Sequence, residues 1–366
     1  MPKHIIKKVD TWTAHLPLTR PYTITYKTVE AVENVFVRLE SEDGLVGLGA
    51  GSPAPYVTGE TTATCQAALA EHLQELLLGK DLRQLRQHCM NLEEMLPDTP
   101  AARTAVDLAL HDLYGHYLGL PVVHLLGQVH QSLATSITIG IKETLAETLE
   151  EAEEYQGRGF RIIKLKIGRD LEKDIETVRK LHEKVGSTMK IRVDANQGYS
   201  AADLETFYRS THHLGLDLIE QPVPQKEPHQ MLAVSEEIRG VCAGDESVLQ
   251  PRHALKLAAE PQPFGIFNIK LMKCGGIYPS LQIAEIARLS GIDLMWGCMD
   301  ESIISITGAL HAAFACPATR YIDLDGSLDL ARDLVSGGFV LEEGMMRIGS
   351  GNGLGVNLLS NYRDLL

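Results

Sequence analysis

Two hydrophobic periods divide the chain. Up to about residue 125, segments 4–16 and 33–40 (ENVFVRLE) alternate apolar and polar side chains, as half-buried strands do, and DGLVG at 43–47 supplies a turn between strands. The stretches TTATCQAALAEHLQELLLG (61–79) and ARTAVDLALHDLYGHYLG (102–119) instead place apolar residues three and four apart. Each stops at a glycine, which predicts two helices. The run LPVVHLLGQ at 120–128 closes this α+β part.

From about residue 133 the pattern becomes short apolar runs separated by amphipathic stretches. The runs are LATSITIG (133–140), RIIKLKIG (161–168), KIRVDANQG (190–198), LDLIEQP (216–222), GVCAGDES (240–247), FGIFNIKLMK (264–273), GIDLMWGCMD (291–300) and TRYIDLDG (319–326). Eight buried strands alternating with helices indicate parallel βα units. From Lys164 to Asp194 is 30 residues, then 26 to Glu220, 25 to Asp245 and 25 to Lys270. That repeat predicts an α/β fold built on a (β/α)8, TIM-like barrel; an open doubly wound sheet is the alternative. The tail from 327 is rich in glycines that alternate without a leading strand, so turns explain them better than a nucleotide loop. The expected units are therefore an α+β capping domain (1–125), the barrel (126–326) and a C-terminal segment (327–366) that packs back on the cap and completes it.

Composition narrows the partners. With 366 residues, 44% of them hydrophobic, the chain can bury a large core. The 34 basic and 48 acidic residues give a net charge of −14, spread along the chain, which argues against a nucleic-acid or anionic-membrane partner. No apolar run approaches the roughly 20 residues of a bilayer span. MPKHIIKKVDTW has no secretory h-region, and the six cysteines stand far apart, so reduced thiols and a cytoplasmic location are expected.

Barrel enzymes place chemistry at the C-terminal ends of their strands. Those ends carry Lys164 and Lys166, then Asp194, Glu220, Asp245 and Lys270, and finally Asp323 and Asp325. A single carboxylate there is ordinarily a helix cap or an ion-pair partner. The repeated pattern would be costly without a counter-ion and a task. Asp194, Glu220 and Asp245 are hard oxygen ligands on adjacent strands with no matching histidine or cysteine, which suits one Mg²⁺ rather than zinc. Asn196 and Glu246, beside ligands, are candidates to hold them in place. Lys164 and Lys166, two apart on one strand, point the same way, and a neighbouring cation and burial are expected to keep such a lysine neutral often enough to accept a proton. Lys270 should face Lys166 across the opening. Two lysines bracketing a metal-bound carboxylate suit removal of an α-proton on one face and its return on the other.

These residues resemble the enolase superfamily, specifically its muconate-lactonizing-enzyme subgroup. The resemblance rests on KLK at 164–166, VDAN at 193–196, IEQP at 219–222, GDES at 244–247 and NIKLMKCGG at 268–276, and spans essentially the whole chain. It implies that the barrel is a modified TIM barrel of the (β/α)7β type, that Lys166 and Lys270 are the two acid/base groups, that Lys164 tunes Lys166 and helps neutralise the substrate carboxylate, that the proton is lost to an enediolate, and that the protein is a homo-oligomer. Within the subgroup, YIDLDGSLDL resembles the Asp-x-Asp pair with which dipeptide epimerases hold a substrate ammonium, here Asp323 and Asp325. Muconate cycloisomerases, N-acylamino acid racemases and o-succinylbenzoate synthases handle substrates without that cation and stay as alternatives, as does a catalytically silent binding barrel. WGCMDES (296–302) resembles a pocket loop in which Cys298 and Met299 shape the site. Asp300 would suit a cationic side chain on the second residue, unless it caps the next helix, and a hydrophobic second residue is the next choice. Thr138, ending the first barrel run, is a further expected substrate contact. Relatives acting on Ala-Glu read the glutamate with an arginine; here that position aligns with Val29, with Arg20 and Lys27 nearby but offset. GSPAPYVTGE (51–60) should form the other half of a lid.

Overall fold

The computed structural model describes residues 4–24 and 27–365, apart from the side chains of residues 22–24, 27 and 28. Lys27's side chain therefore lies outside the described residues. The alternating N-terminal segments form an antiparallel sheet of β1 (Ile6–Ile24), β2 (Lys27–Ser41) and β3 (Val46–Gly51) in that order. Both faces of the sheet are covered. Val35, Val37 and Leu39 of β2 point to a layer of helices, α1 (Thr62–Leu77), α2 (Leu85–Met95) and α3 (Pro100–Leu118), while Phe36, Leu48 and Ala50 point into the larger core shared with the rest of the chain. Thr61 opens α1 with a reciprocal capping box to Thr64, and Gly119 ends α3 in the left-handed conformation that the sequence pattern anticipates. Gly49 has no freedom to carry a side chain, because a Cβ there would meet the Ala105 carbonyl at 1.8 Å, so α3 lies directly on β3.

After α4 (Val122–Leu126) and the short β4 (Leu133–Ala134), eight parallel strands follow: β5 (Ile137–Ile139), β6 (Ile162–Lys166), β7 (Lys190–Asp194), β8 (Ile219–Glu220), β9 (Cys242–Gly244), β10 (Ile266–Ile269), β11 (Asp293–Gly297) and β12 (Thr319–Asp323). Each pairs with its sequence neighbour, and a parallel bridge from Thr135 to Ile322 joins the two ends of the row. An open sheet would have two free edges; here the ends meet, which excludes it. Helices α5 (Leu145–Gly157), α6 (Leu171–Val185), α7 (Ala201–Thr211), α8 (Glu236–Gly240), α9 (Pro251–Leu257), α10 (Leu271–Cys274), α11 (Ile277–Leu289) and α12 (Ile303–Ala315) fill the intervals, and β12 leads into the tail instead of a helix.

The tail forms β13 (Val335–Gly337), β14 (Phe339–Glu342), β15 (Met345–Ile348) and β16 (Val356–Leu358). It touches both parts of the molecule. β15 pairs with β4 at the barrel entrance, while Leu330 bridges Leu18 of β1 and the Ala331 amide donates to the Pro17 carbonyl (2.8 Å). Buried Asp112 of α3 ties three elements together, its Oδ2 accepting from the Leu48 amide (2.8 Å) and its Oδ1 from the Leu354 amide (2.6 Å). Asp107, one turn earlier, accepts from the Ile277 and Tyr278 amides (2.6 and 3.2 Å) and so caps α11 of the barrel from the neighbouring domain. Cys89, Asp107 and His111 bring three potential metal donors within 4.8 Å of one another, but Asp107 is committed to that cap and His111 Nδ1 bonds the Asp107 carbonyl (2.8 Å). The trio is a structural joint. Among the described residues, no helix is long and apolar enough to cross a membrane.

Replacing Asp112 with alanine strands two buried backbone donors, so denaturant unfolding should show a loss of about 2–4 kcal/mol. A loss below about 1 kcal/mol would mean that water or rearrangement replaces the joint.

Candidate active site

Parallel pairing brings the chemical residues to one mouth. Lys166 is in register with Asp194 and Asp194 with Glu220, while Asp245 and Lys270 each stand just beyond the end of their strand. β6 and β10 are four strands apart in either direction around the closed row, so Lys166 and Lys270 enter from opposite walls. A cleft partly open to solvent lies between them, and both lysines line it with Lys164, Asn196, Asp245, Glu246, Asp323 and Asp325.

The three expected metal ligands are nearly inaccessible to solvent. Lys166 Nζ donates to Asp194 Oδ2 (2.6 Å) and Lys270 Nζ to Asp245 Oδ2 (2.7 Å). Lys164 Nζ sits among Asp323 (2.7 Å), Glu220 (2.8 Å) and Asp194 (3.3 Å). Two further groups complete the cage. Asn268 Nδ2 donates to Glu220 Oε1 (2.8 Å), and Lys273 Nζ donates to Asp245 Oδ1 (2.5 Å), the Asp245 carbonyl (2.6 Å) and the Asn268 carbonyl (2.9 Å). Gln221, in a left-handed conformation at φ 33°, turns its Oε1 to accept from the Asp245 amide (2.8 Å). Asn196 holds Asp194 through its backbone amide (2.9 Å), and Glu246 Oε1 accepts from Gln197 (3.2 Å).

Lys164 and Lys270 hold their charge against burial. Burial does act against the ammonium form of Lys164, but Asp323, Glu220 and Asp194 outweigh it and hold its pKa well above the usual lysine value. Burial likewise opposes charge on Lys270, and Asp245 and Glu220 overcome it. The carboxylates pressed against the amines decide the sign. They do not all titrate alike. Asp245 is held far below the ordinary range, burial being overcome by Lys270 and Lys273, whereas burial and neighbouring Asp194 push Glu220 up to about 8. Among the described residues the buried oxygens Asn196 Oδ1 and Glu246 Oε2 have no hydrogen-bond partner, and Glu220 Oε2 has only the Lys164 ammonium (2.8 Å) beside it. A carboxylate that resists ionisation beside orphaned hard oxygens fits a divalent cation, which would supply the missing positive charge.

The opposite side of the mouth is acidic. Asp323 Oδ1 accepts from Ser136 Oγ (2.6 Å) in addition to its bond with Lys164, and Asp325 Oδ2 accepts from the Thr138 backbone amide (2.7 Å). Thr138 thus positions Asp325 through its main chain. Cys298 Sγ lies 3.2 Å from the Asp323 carbonyl and accepts from the Gly326 amide (3.3 Å), stitching the seventh loop to the eighth. Met299 and Asp300 line the cleft beside Tyr56 of the 51–60 loop. Ser302 caps α12, so Asp300 is not used as that cap. Its carbonyl accepts from Ser52 Oγ (3.0 Å), and the Ser302 amide donates to Asn34 (3.1 Å), so the capping sheet grips the seventh loop from above. Val29 is buried in an adjoining recess shared with Tyr56, Met299 and Asp300.

Comparison with known proteins agrees with this geometry. Residues 147–362 match the enolase C-terminal domain-like family, and residues 8–127 match the mandelate racemase / muconate lactonizing enzyme N-terminal domain. The chain belongs to the enolase superfamily. This superfamily member is 55% identical to the L-Lys-D/L-Arg epimerase of Desulforapulum autotrophicum over 96% of its own length and 99% of the relative's. It is also 51% identical to the dipeptide epimerase of Methylococcus capsulatus, whose crystal structure with Mg and the dipeptide L-Arg-D-Lys superposes with a TM-score of 0.94, covering 96% of this chain and 99% of that one. The dipeptide epimerase of Enterococcus faecalis, complexed with Mg and L-Leu-L-Tyr, gives a TM-score of 0.92 at 33% identity over 96% and 99% of the two chains. The relatives are epimerases and racemases, isomerases acting on amino acid derivatives.

Asn268, Lys273, Gln221 and Ser136 escaped the sequence reading. Asn268 and Lys273 do lie inside the NIKLMK motif, and Asn268 stands two residues before Lys270 on the same face of β10, which is the available signal.

Burial and the neighbouring Asp323 and Asp329 push Asp325 up to about 7. A carboxyl whose folded pKa exceeds its unfolded value loses stability as the pH rises between the two, here from about 4 to about 7. Asp325→Asn should therefore gain stability relative to the parent as the pH is raised from 4 to 8, by about 1–3 kcal/mol in urea unfolding. A difference that stays constant across that range would show that Asp325 ionises normally in the fold.

Proposed function

We propose that this protein epimerises dipeptides of basic residues, inverting the α-carbon of the C-terminal residue by proton transfer between two faces. The observation that carries the reading is the placement of Lys166 and Lys270 on opposite walls of one cleft, each hydrogen-bonded to a different carboxylate of the Asp194, Glu220 and Asp245 set. An amine on each face of a planar enediolate can take a proton from one side and return one from the other, and this exchange is what inversion requires.

Asp194, Glu220 and Asp245 would hold Mg²⁺. When bound, that ion supplies positive charge to the substrate carboxylate and to the oxygens that gain charge once the α-proton leaves. Lys164, in contact with three carboxylates at the base of the cleft, fixes their spacing and adds a positive charge on the same side as Lys166. Lys273, Asn268 and Gln221 orient the ligand carboxylates and so set where the substrate carboxylate lies relative to the two amines. Asp325, with Asp323 behind it, is the partner for the substrate's α-ammonium. This separates a dipeptide from N-acylated amino acids, which have no cation there. The basic character of the substrate is supported by the named activity of the relative at 55% identity and by Asp300 in the lining of the cleft.

With Mg²⁺ in D₂O, L-Lys-L-Arg should gain one deuterium at the arginine α-carbon as its configuration inverts. Lys166→Ala and Lys270→Ala should each lower net epimerisation by about 10²–10⁴-fold. Asp323→Asn should impair the dipeptide far more than an N-succinyl amino acid. Inversion without deuterium uptake would overturn the two-lysine reading, and equal impairment of both substrates would overturn the dipeptide assignment.

A further inference from the structure

The cleft extends past the ammonium site to a wall that the proposed chemistry does not use. This wall is formed by Tyr155 and Glu151 of α5, Lys142 before that helix, Arg20 of β1 and Asp329 beyond β12. A turn closed by the Leu328 amide donating to the Asp325 carbonyl (2.8 Å) folds the chain so that Asp329 returns beside Asp325. The main chain of Asp329 is fixed. Its carbonyl accepts from the Thr19 amide (2.7 Å) and from Thr19 Oγ1 (3.1 Å), which anchors the residue to the capping domain.

Every other charge on this wall is already paired. Arg20 forks onto Glu154 through two bonds of 2.9 Å. Arg158 also approaches Glu154 (3.6 Å) and lies over the rings of Tyr155 and Phe160 (5.2 and 5.4 Å). Lys142 pairs with Glu151, which also accepts from the Tyr155 hydroxyl (2.9 Å). The Asp329 carboxylate, by contrast, has no ion pair or side-chain hydrogen bond among the described residues, although it lines the cleft and is only half-exposed. A partly buried carboxylate with every nearby cation engaged elsewhere is a site for a cation that arrives with the ligand.

Dipeptide geometry says which cation. Consecutive Cα atoms lie about 3.8 Å apart, so with the second residue's Cα between Lys166 and Lys270 the first residue's Cα falls next to Asp325. On the dipeptide reading the second side chain is assigned to the part of the cleft lined by Tyr56 and Asp300, and the first to the wall that carries Asp329. We infer that Asp329 is the specificity residue for the side chain of the dipeptide's N-terminal residue and selects lysine or arginine there; this rests on the dipeptide reading above. Asp325 takes the α-ammonium and Asp329 the side-chain charge, so recognition of the first residue is split between two carboxylates four positions apart. Glu151, engaged by Lys142 and Tyr155, buttresses the wall.

The test uses the Mg²⁺-loaded protein and three dipeptides that share a C-terminal arginine: Lys-Arg, Ala-Arg and Glu-Arg. For the parent, kcat/KM should favour Lys-Arg over Ala-Arg. In Asp329→Asn that ratio should fall about tenfold or more, chiefly through KM, because the lost contact is equally present before and during reaction. Asp329→Lys should shift preference toward Glu-Arg. Turnover of Ala-Arg by each variant reports that it is folded. A ratio unchanged within about twofold, or Lys-Arg and Ala-Arg falling in proportion, overturns the role of Asp329 and leaves the dipeptide reading intact. A parent inert toward all three overturns the dipeptide reading itself.

Discussion

The barrel mouth is governed by the balance of charges taken out of water. Asp194, Glu220, Asp245 and Asp323 converge there with Lys164, Lys166, Lys270 and Lys273, and every member touches at least one of opposite sign. In a low-dielectric interior an unpaired charge costs several kcal/mol, so these groups can be packed together only in contact with groups of opposite sign. Strand length, the order of the row and the helices that fill the intervals all act to place these ends within hydrogen-bonding reach. Pairing with carboxylates explains why Lys164 and Lys270 resist losing their protons despite burial, and burial beside Asp194 explains why Glu220 resists losing its own.

The cap contributes contacts more than reacting groups. Asn34 and Ser52 hold the loop after β11, Asp107 caps α11, and Thr19 fixes Asp329. Each bond ends on a loop or helix that borders the cleft, so the domain interface also positions the recognition surface. The proposed recognition residues stand on loops held between two domains, while the proposed reacting groups stand at or just beyond strand ends. Loops can vary without disturbing the charge set, which lets one barrel keep its chemistry while the side-chain pockets change. Val29 and Asp300, in adjoining recesses, lie on that variable side.

How far the sequence revealed the molecule follows from the same division. The eight strands were legible because each is a short apolar run ending in a charge, and period and spacing are local properties. Lys164, Lys166, Asp194, Glu220, Asp245 and Lys270 were legible because strand ends repeat a position that topology makes equivalent. Closure of the row was less so, since it rests on a single bridge, Thr135 to Ile322, between residues 187 positions apart. Lys273 was hidden because a lysine in the first turn of a short helix looks solvated, and only the fold turns it back onto Asp245. The strength with which Lys164 holds its charge is hidden for a related reason. Its neighbouring lysine is visible two positions away, but Asp323, its nearest carboxylate, lies 159 positions along the chain. Asp329 reads as an ordinary turn residue until the commitments of Arg20, Lys142 and Arg158 are known.

The charge balance also bears on how a strongly held ammonium could serve as a base. With Glu220 holding its proton, three carboxylates face four lysines, and a cation bound at Glu220 would displace that proton and take its place. Lys166 shares Asp194 and Lys270 shares Asp245, so a divalent cation held by those carboxylates would compete with both amines for the same oxygens. The two lysines stand in equivalent positions toward the carboxylate set, one on each wall. That symmetry is what a reaction run in either direction between two epimers would require, because each lysine would be a base toward one epimer and an acid toward the other.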